Sequence, residues 1–265
     1  MAVIQHHVSL SNLRHVFTDG PTRGGLSALE GVSFEVPRGQ FLSIIGPSGC
    51  GKSTLLRTVG GLLRPTSGAA LVEGLPPEKA QRARDIGFVF QDPALLPWRN
   101  VISNVRLPLE IDGVHHRRDL PGPEALLAVM GLTDFRKYYP HQLSGGMQQR
   151  VAIARALAFD PTLLLMDEPF GALDEITRAG MRYELLRVWA SQAQAAARKT
   201  VLFVTHSIAE AIALSDRVIV LSPRPGRVVA DIDIELPRPR TADIERSPAF
   251  LDYADHLRGL LKVAA

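Results

Sequence analysis

The chain has 265 residues, 46% of them hydrophobic, and 30 basic residues against 27 acidic ones leave a formal net charge of +3. That length suits one large α/β unit or one carrying a subdomain, with enough apolar content for a sizeable core. The near balance of charge gives nucleic-acid binding little support, the lone Cys50 excludes an intrachain disulfide and fits a reducing cytosol, and no run approaches the roughly 18 apolar residues of a membrane span.

Met1–His7 has neither a basic start nor a long apolar run and is not expected to be a signal peptide. The neighbouring histidines His6-His7 and His115-His116 lack the carboxylate or cysteine spacing of a metal site and are expected to be solvated. Val8–Val16 and Leu26–Val36 are predicted strands, separated by a Gly/Pro-rich turn at Thr18–Gly25, and Pro37-Arg38-Gly39 ends the second. Phe41–Ile45 reads as a buried strand and Thr54–Val59 as the first turns of a helix. Gly68–Glu73 and Ile86–Phe90 are two further strands.

From Pro93 to about Tyr139 the prolines Pro93, Pro97, Pro108, Pro121 and Pro123 punctuate a mostly helical insertion, in which Glu124–Met130 is a helix ended by Gly131. Ser144 caps a longer helix, Gly145–Phe159, stopped by Asp160-Pro161. Thr162–Met166 and Val201–Thr205 are unbroken apolar runs, as central parallel strands require. Between them Thr177–Ala197 is an amphipathic helix whose stripe Met181, Leu185, Val188 and Trp189 is expected to pack into the core. Ser207–Leu214 is a short helix, and Arg217–Leu221 and Arg227–Leu236 are strands around Ser222-Pro223-Arg224-Pro225-Gly226. Residues 237–247 are rich in Pro and Arg and read as a surface linker to a last helix at 248–262.

Chemistry concentrates in Gly46-Pro47-Ser48-Gly49-Cys50-Gly51-Lys52-Ser53, a phosphate-binding loop between a buried strand and a helix. Its backbone N–H groups can turn toward an anion, and the helix N-terminus beginning near Thr54 adds its positive dipole end. Lys52 would reach the β- and γ-phosphates, and the Ser53 hydroxyl would ligate Mg²⁺. The apolar strand Leu163–Met166 ends in Asp167-Glu168. Alternation along that strand sends Asp167 toward the metal and frees Glu168 to act as general base on a water. Leu143-Ser144-Gly145-Gly146-Met147-Gln148-Gln149-Arg150 supplies a second anion-binding helix terminus.

These motifs resemble the ATP-binding subunit of an ATP-binding-cassette transporter over roughly residues 8–236. Gly46–Ser53 matches its Walker A motif, Gln91 its Q-loop and Leu143–Gln149 its signature with the LSGG core. Leu163–Glu168 matches its Walker B motif, Ala172-Leu173-Asp174 its D-loop and His206 its switch histidine. The resemblance implies an α/β phosphate-loop hydrolase core with a mixed central sheet, an N-terminal antiparallel β subdomain and an α-helical subdomain inserted at about 92–159. Residues 237–265 would then be a linker and C-terminal helix, too few for a regulatory domain.

The resemblance also implies a head-to-tail homodimer that binds two ATP molecules with Mg²⁺. Phe17, in place of the family's usual tyrosine, would stack on adenine, with Gly46 to Thr54 and Gln91 around the phosphates. Ser53, Gln91 and Asp167 would hold the metal, and Lys52, Glu168 and His206 would carry hydrolysis. Ser144, Gly145, Gly146, Gln148 and Asp174 would face the ATP of the partner subunit. A separate membrane permease is implied at the cytoplasmic face of the inner membrane, with Trp98 and its neighbours lining the groove that receives it. A periplasmic or lipid-anchored solute-binding protein is implied indirectly. The stretches Leu95-Leu96-Pro97-Trp98, Ser222–Arg227 and Leu236–Arg240 resemble the nitrate, sulfonate and taurine importer group. A soluble cassette ATPase that handles nucleic acid is the alternative, but this chain has one set of motifs and no long heptad run. A small-molecule kinase would leave Ser144-Gly145-Gly146 unexplained.

Overall fold

Short apolar runs become the strands of a central sheet: β3 (Phe41–Ile45), β5 (Ile86–Val89), β6 (Leu163–Asp167), β7 (Thr200–Val204) and β8 (Arg217–Leu221). The structure is a computed structural model that describes residues 6–18, 25–111, 122–190 and 199–263. In the sheet the strands run β5-β6-β7-β3-β8-β9, where β9 (Val228–Asp233) is antiparallel to β8 and the other neighbours are parallel. This is the mixed sheet expected. A separate antiparallel sheet, ordered β2-β1-β4, is made by β1 (His6–Phe17), β2 (Leu26–Pro37) and β4 (Ser67–Val72).

Alternation along the central strands sorts their side chains between two cores. Leu164, Met166, Val201 and Phe203 face a cluster that also takes in helix α5 (Gly145–Leu157) and Met181, Leu185 and Trp189 of helix α6 (Glu175–Ala190). Leu163, Leu165, Leu202 and Val204 face the opposite cluster, with helix α1 (Lys52–Val59) and the antiparallel sheet. Both faces are therefore covered, which explains why these strands read as unbroken apolar runs. The four apolar residues of β6 are each at most 1% exposed, and burial of that kind contributes about 1.5–3 kcal/mol per side chain. A third cluster joins β8 to helix α7 (Ile208–Leu214) and helix α8 (Pro248–Val263).

Helices α3 (Val101–Glu110), α4 (Pro123–Val129) and α5 pack together beyond the β5–β6 edge. Asn100 caps α3, its side chain accepting from the Ser103 amide, and Pro108 falls within the last turn rather than ending the helix. Helix α2 (Pro77–Ala83), started by Pro77, was not expected from the sequence. The long amphipathic helix begins two residues earlier than expected, at Glu175. Its predicted end at 191–197, most of the predicted turn at 18–25, and His115-His116 lie outside the described residues.

Two expectations are corrected by burial. The segment 237–247 is no free linker: Arg240, 6% exposed, donates to the carbonyls of Ile212, Ala213, Ser215, Ile234 and Leu236. Five carbonyls at the ends of α7 and β9 find their donor in that one guanidinium, so the chain is pinned there. Nor are His6 and His7 solvated loop residues, for both lie on β1. His6 pairs with Glu35, and His7 is buried at the seam between the two sheets.

The Thr200 hydroxyl takes the Gly39 amide at 2.9 Å and donates to His7 Nδ1, while His7 Nε2 lies 3.3 Å from Glu73. The neutral ring with its proton on Nε2 satisfies these partners. Burial first and the Arg38 guanidinium second push the His7 pKa from 6.5 to about 4, against the pull of Glu73. The unfolded chain binds that proton near pH 6.5 and the folded chain only near pH 4, so stability is complete above the first value and falls toward the second. Replacing His7 with Asn keeps a hydrogen-bonding group near Thr200 and removes the titration. Urea unfolding at pH 7 and pH 4.5 should show the parent losing about 2–3 kcal/mol more than His7→Asn; equal losses would exclude a buried neutral histidine.

Candidate active site

A pocket of about 410 Å³ opens at the C-terminal ends of β3 and β6, where parallel sheets place their ligands. Ser48, Gly49 and Gly51 of the phosphate loop and the first residues of α1 form its floor, Phe17 and Leu26 one end, and Gln91 and Glu168 the other. Phe17 and Leu26 are register partners across β1 and β2 and are 38% and 39% exposed, so an aromatic face is open to the pocket. Gly51 starts α1 at φ +104°, and a Cβ there would come within 2.7 Å of both the Ala28 carbonyl oxygen and Leu29 Cδ2. Only glycine meets both demands.

Lys52 is 6% exposed, and its ammonium donates to the Gly46 carbonyl at 2.8 Å and the Pro47 carbonyl at 3.0 Å. The charge is thus held over the centre of the loop, where an anion would meet it. Cys50 lies buried beneath the loop, and burial raises its thiol pKa, so it is a packing group. Ser48, Gly49, Ser53 and Thr54 line the pocket beside Lys52.

The Ser53 hydroxyl donates to Asp167 Oδ1 at 2.9 Å, joining the start of α1 to the end of β6. Asp167 is 1% exposed, and burial raises its pKa against the lowering effect of that hydrogen bond. A buried carboxylate and a hydroxyl offer the hard oxygen ligands that Mg²⁺ prefers, and a cation there would offset the desolvation. Gln91 stands in the pocket wall, its side chain without a hydrogen bond among the described residues.

Glu168 adopts φ +46°, uncommon for a residue with a side chain, and its amide donates to the Val204 carbonyl at 3.0 Å. That turn swings its carboxylate off the strand direction toward the pocket. His206, just beyond β7, has Nδ1 3.3 Å from Glu168 Oε2 and a largely exposed ring. The structure thus brings Lys52, Ser53, Asp167, Glu168 and His206 to one edge.

The signature residues stand elsewhere. Ser144 caps α5, its hydroxyl accepting from the Met147 amide at 3.3 Å, and Ser144 and Gly145 are exposed. Gly146 backs onto Leu173. The Gln148 amide turns inward, donating to the Pro140 and Leu143 carbonyls at 3.0 and 3.3 Å. Asp174 caps α6 through the Thr177 amide at 3.0 Å, and hydrogen bonds from the Thr177 side chain first and its amide second hold its carboxyl below the usual range. Among the described residues, none of these five lines the pocket of its own chain.

Two buried side chains behind the site carry roles that the sequence does not assign them. Gln149, 1% exposed, donates from Nε2 to the Phe90 carbonyl at 3.0 Å and so fastens α5 to the strand end before Gln91. Glu210, 4% exposed, accepts from the Thr205 hydroxyl and lies 3.9 Å from Arg178. Arg178 in turn donates to the Phe170 and Leu173 carbonyls at 3.3 and 2.8 Å. A charged network therefore ties the turn before His206 to the segment after Glu168. Its sequence signal is a lone carboxylate in the apolar stretch Ile208–Leu214.

A second groove, of about 330 Å³, lies where α3 and α5 meet β5, lined by Phe88, Phe90, Leu107, Pro108 and Arg155. Trp98 is 71% exposed and is not among the residues lining it. No helix among the described residues is long and apolar enough to cross a membrane.

A phosphate cradle between strand and helix, a carboxylate pair ending the neighbouring strand and a histidine after the next one define a P-loop nucleotide hydrolase. The family model described as ABC transporter matches residues 29–171. The chain belongs to the ABC transporter family, as one of its ATP-hydrolysing cassettes. It is 46% identical to the taurine import ATP-binding protein TauB of Rhizobium johnstonii, with 88% of each chain covered. It is 40% identical to the nitrate import ATP-binding protein NrtD of Synechocystis sp., covering 97% of this chain and 95% of that one. Its fold is similar to a dimeric post-hydrolysis state of the ATP-binding cassette MJ0796 bound to ADP and Pi, with a TM-score of 0.72, 33% identity, and 87% of this chain and 100% of that chain covered.

Replacing Gly51 with Ala drives a methyl into the Ala28 carbonyl at a strained φ. Titration calorimetry should find ATP affinity reduced at least about tenfold, and urea unfolding a stability loss of about 1–3 kcal/mol. Unchanged affinity would show that the loop tolerates a side chain at this position.

Proposed function

We propose that this chain energises the uptake of a small solute through a separate membrane permease, as a head-to-tail homodimer that closes on two ATP molecules. The carrying observation is the division of the site. Lys52, Ser53 and Glu168 line one pocket, with Asp167 bonded to Ser53 and His206 beside Glu168, while the capped terminus at Ser144-Gly145-Gly146 does not line it and exposes Ser144 and Gly145. A second copy in reversed orientation would set that terminus against the γ-phosphate, whose negative charge the helix dipole and amides favour.

In this reading Phe17 stacks on adenine, and the amides of Gly46 to Thr54 wrap the phosphates. Lys52 moves from the Gly46 and Pro47 carbonyls to the β- and γ-phosphates. Ser53 and Asp167, with Gln91, would hold Mg²⁺, which when bound neutralises charge on the phosphate oxygens. Glu168 accepts a proton from the attacking water, and His206 orients the carboxylate and the γ-phosphate. Gln148 and Asp174 act from the facing subunit, by keeping the Leu143–Ser144 turn and the start of α6 in place. Loss of the γ-phosphate removes the bridging charge and lets the dimer open.

The named activities of the TauB and NrtD relatives support nitrate-, sulfonate- or taurine-like solutes as cargo. A location at the cytoplasmic face of the inner membrane, with a periplasmic or lipid-anchored binding protein delivering the solute, is part of the proposal. The division into a cassette at 8–236, a helical insertion at about 92–159 and a C-terminal extension at 237–265 belongs to the same proposal. Trp98, a large exposed aromatic in the loop before α3, is the proposed permease anchor.

Glu168→Gln removes the base and leaves the phosphate contacts. Phosphate release should fall about 10²–10⁴-fold, and light scattering should find a stable dimer with Mg-ATP and a monomer without it. A monomer at saturating Mg-ATP would overturn the dimer, and parental turnover would overturn the role of Glu168. Trp98→Ala should keep soluble ATPase activity and lose most solute uptake in vesicles containing the permease; full uptake would remove Trp98 from the interface.

A further inference from the structure

The nucleotide pocket has a wall that none of the nucleotide-binding motifs supplies: Arg224, in the turn between β8 and β9. That turn is fastened to β2 and packed against the phosphate loop. The Gly226 amide donates to the Ala28 carbonyl at 2.9 Å, and the Gly226 carbonyl accepts the Glu30 amide at 3.0 Å. A Cβ on Gly226 would lie 2.2 Å from the Cys50 carbonyl oxygen, so only glycine lets this backbone press against the loop. Ser222 closes the turn from within, donating to the Pro223 and Pro225 carbonyls and accepting the Arg227 amide.

The two arginines of the turn differ. Arg227 is committed to Glu30 at 2.7 Å. Arg224 is exposed, faces the pocket, and has no hydrogen bond or ion pair among the described residues. A rigid turn thus holds an uncommitted guanidinium at the pocket edge.

Its position selects one end of the nucleotide. In the strand order β5-β6-β7-β3-β8-β9, Glu168 and His206 follow strands on one side of β3, and Arg224 follows β8 on the other. The turn runs beside Ala28 on β2, two residues from Leu26, the register partner of Phe17. Arg224 therefore stands with the aromatic end, away from the hydrolytic groups.

We propose that the Arg224 guanidinium engages the base and ribose of the bound nucleotide, forming with Phe17 a two-part base site. This rests on the ATP pocket proposed above. A guanidinium plane can lie on a purine face while its edge donates to ribose oxygens, which a lysine ammonium cannot reproduce.

The test compares ATP, ADP and inorganic tripolyphosphate binding to the full chain by titration calorimetry. Arg224→Ala should weaken ATP and ADP about five- to tenfold and leave tripolyphosphate unchanged, with the kinetic loss in KM rather than kcat. Arg224→Lys should recover less than half of the loss. The exposed side chain makes no structural bond, so the melting temperature should stay within about 2 °C. Equal weakening of tripolyphosphate would place Arg224 on the phosphates and overturn the proposal, as would parental ATP affinity in Arg224→Ala. A parent chain that binds no ATP would overturn the pocket as well.

Discussion

The phosphate loop is clamped by backbone on two sides, and the site depends on that clamp. The Ala28 carbonyl and Leu29 of β2 press on Gly51, and Gly226 of the β8–β9 turn presses on Cys50. Contacts at this range leave no room for a side chain, so the loop cannot shift without moving two strands. Fixed amides cost little to reorganise when an anion arrives, which is how a loop without regular structure becomes a reliable phosphate cradle.

The second constraint is electrostatic and lies behind the loop. Asp167, Glu210 and Lys52 are all buried, and each has a partner of opposite charge or a hydrogen-bond donor or acceptor. Buried charges persist only when so satisfied. Glu168 belongs to the same system: its positive φ is held by the Val204 carbonyl on one side and by the Arg178 contacts to Phe170 and Leu173 on the other. Strain at a residue aimed into a pocket persists when its surroundings over-determine it. The Thr205–Glu210–Arg178 chain makes the turns carrying Glu168 and His206 parts of one unit.

The C-terminal stretch shows the same economy of donors. Arg238 lies over the Trp189 ring at 4.5 Å and pairs with Asp216, whose other oxygen accepts the Phe41 amide at 2.9 Å. Arg240 satisfies carbonyls left open at the end of α7 and beside β9. Proline keeps this segment extended and arginine anchors it, so a composition typical of linkers here forms a strap across the sheet edge.

Much of the fold was legible because its signals are local. Unbroken runs such as Leu163–Met166 read as buried parallel strands, since both faces of the sheet are covered. The stripe Met181, Leu185 and Trp189 read as core by its spacing, and Ser144 read as a cap by its place before a helical pattern. The phosphate loop and the Asp167-Glu168 pair were visible because contiguous residues carry their chemistry. Helix α2 was missed because it is short and its one strong signal, Pro77, also starts turns.

What the sequence alone determined is the type of most strands and helices, α2 excepted, and the identity of the groups that meet phosphate, because backbone propensity and loop chemistry act over a few neighbouring residues. Tertiary structure alone decided that His7 is buried and neutral, that Arg240 is a pin rather than a linker residue, and that Arg224 stands at the pocket edge. Each of those depends on partners far along the chain, Thr200, Ile212 and Ala28 among them. A side chain's charge state and contacts follow from what folding packs around it, and spacing along the chain carries no record of that.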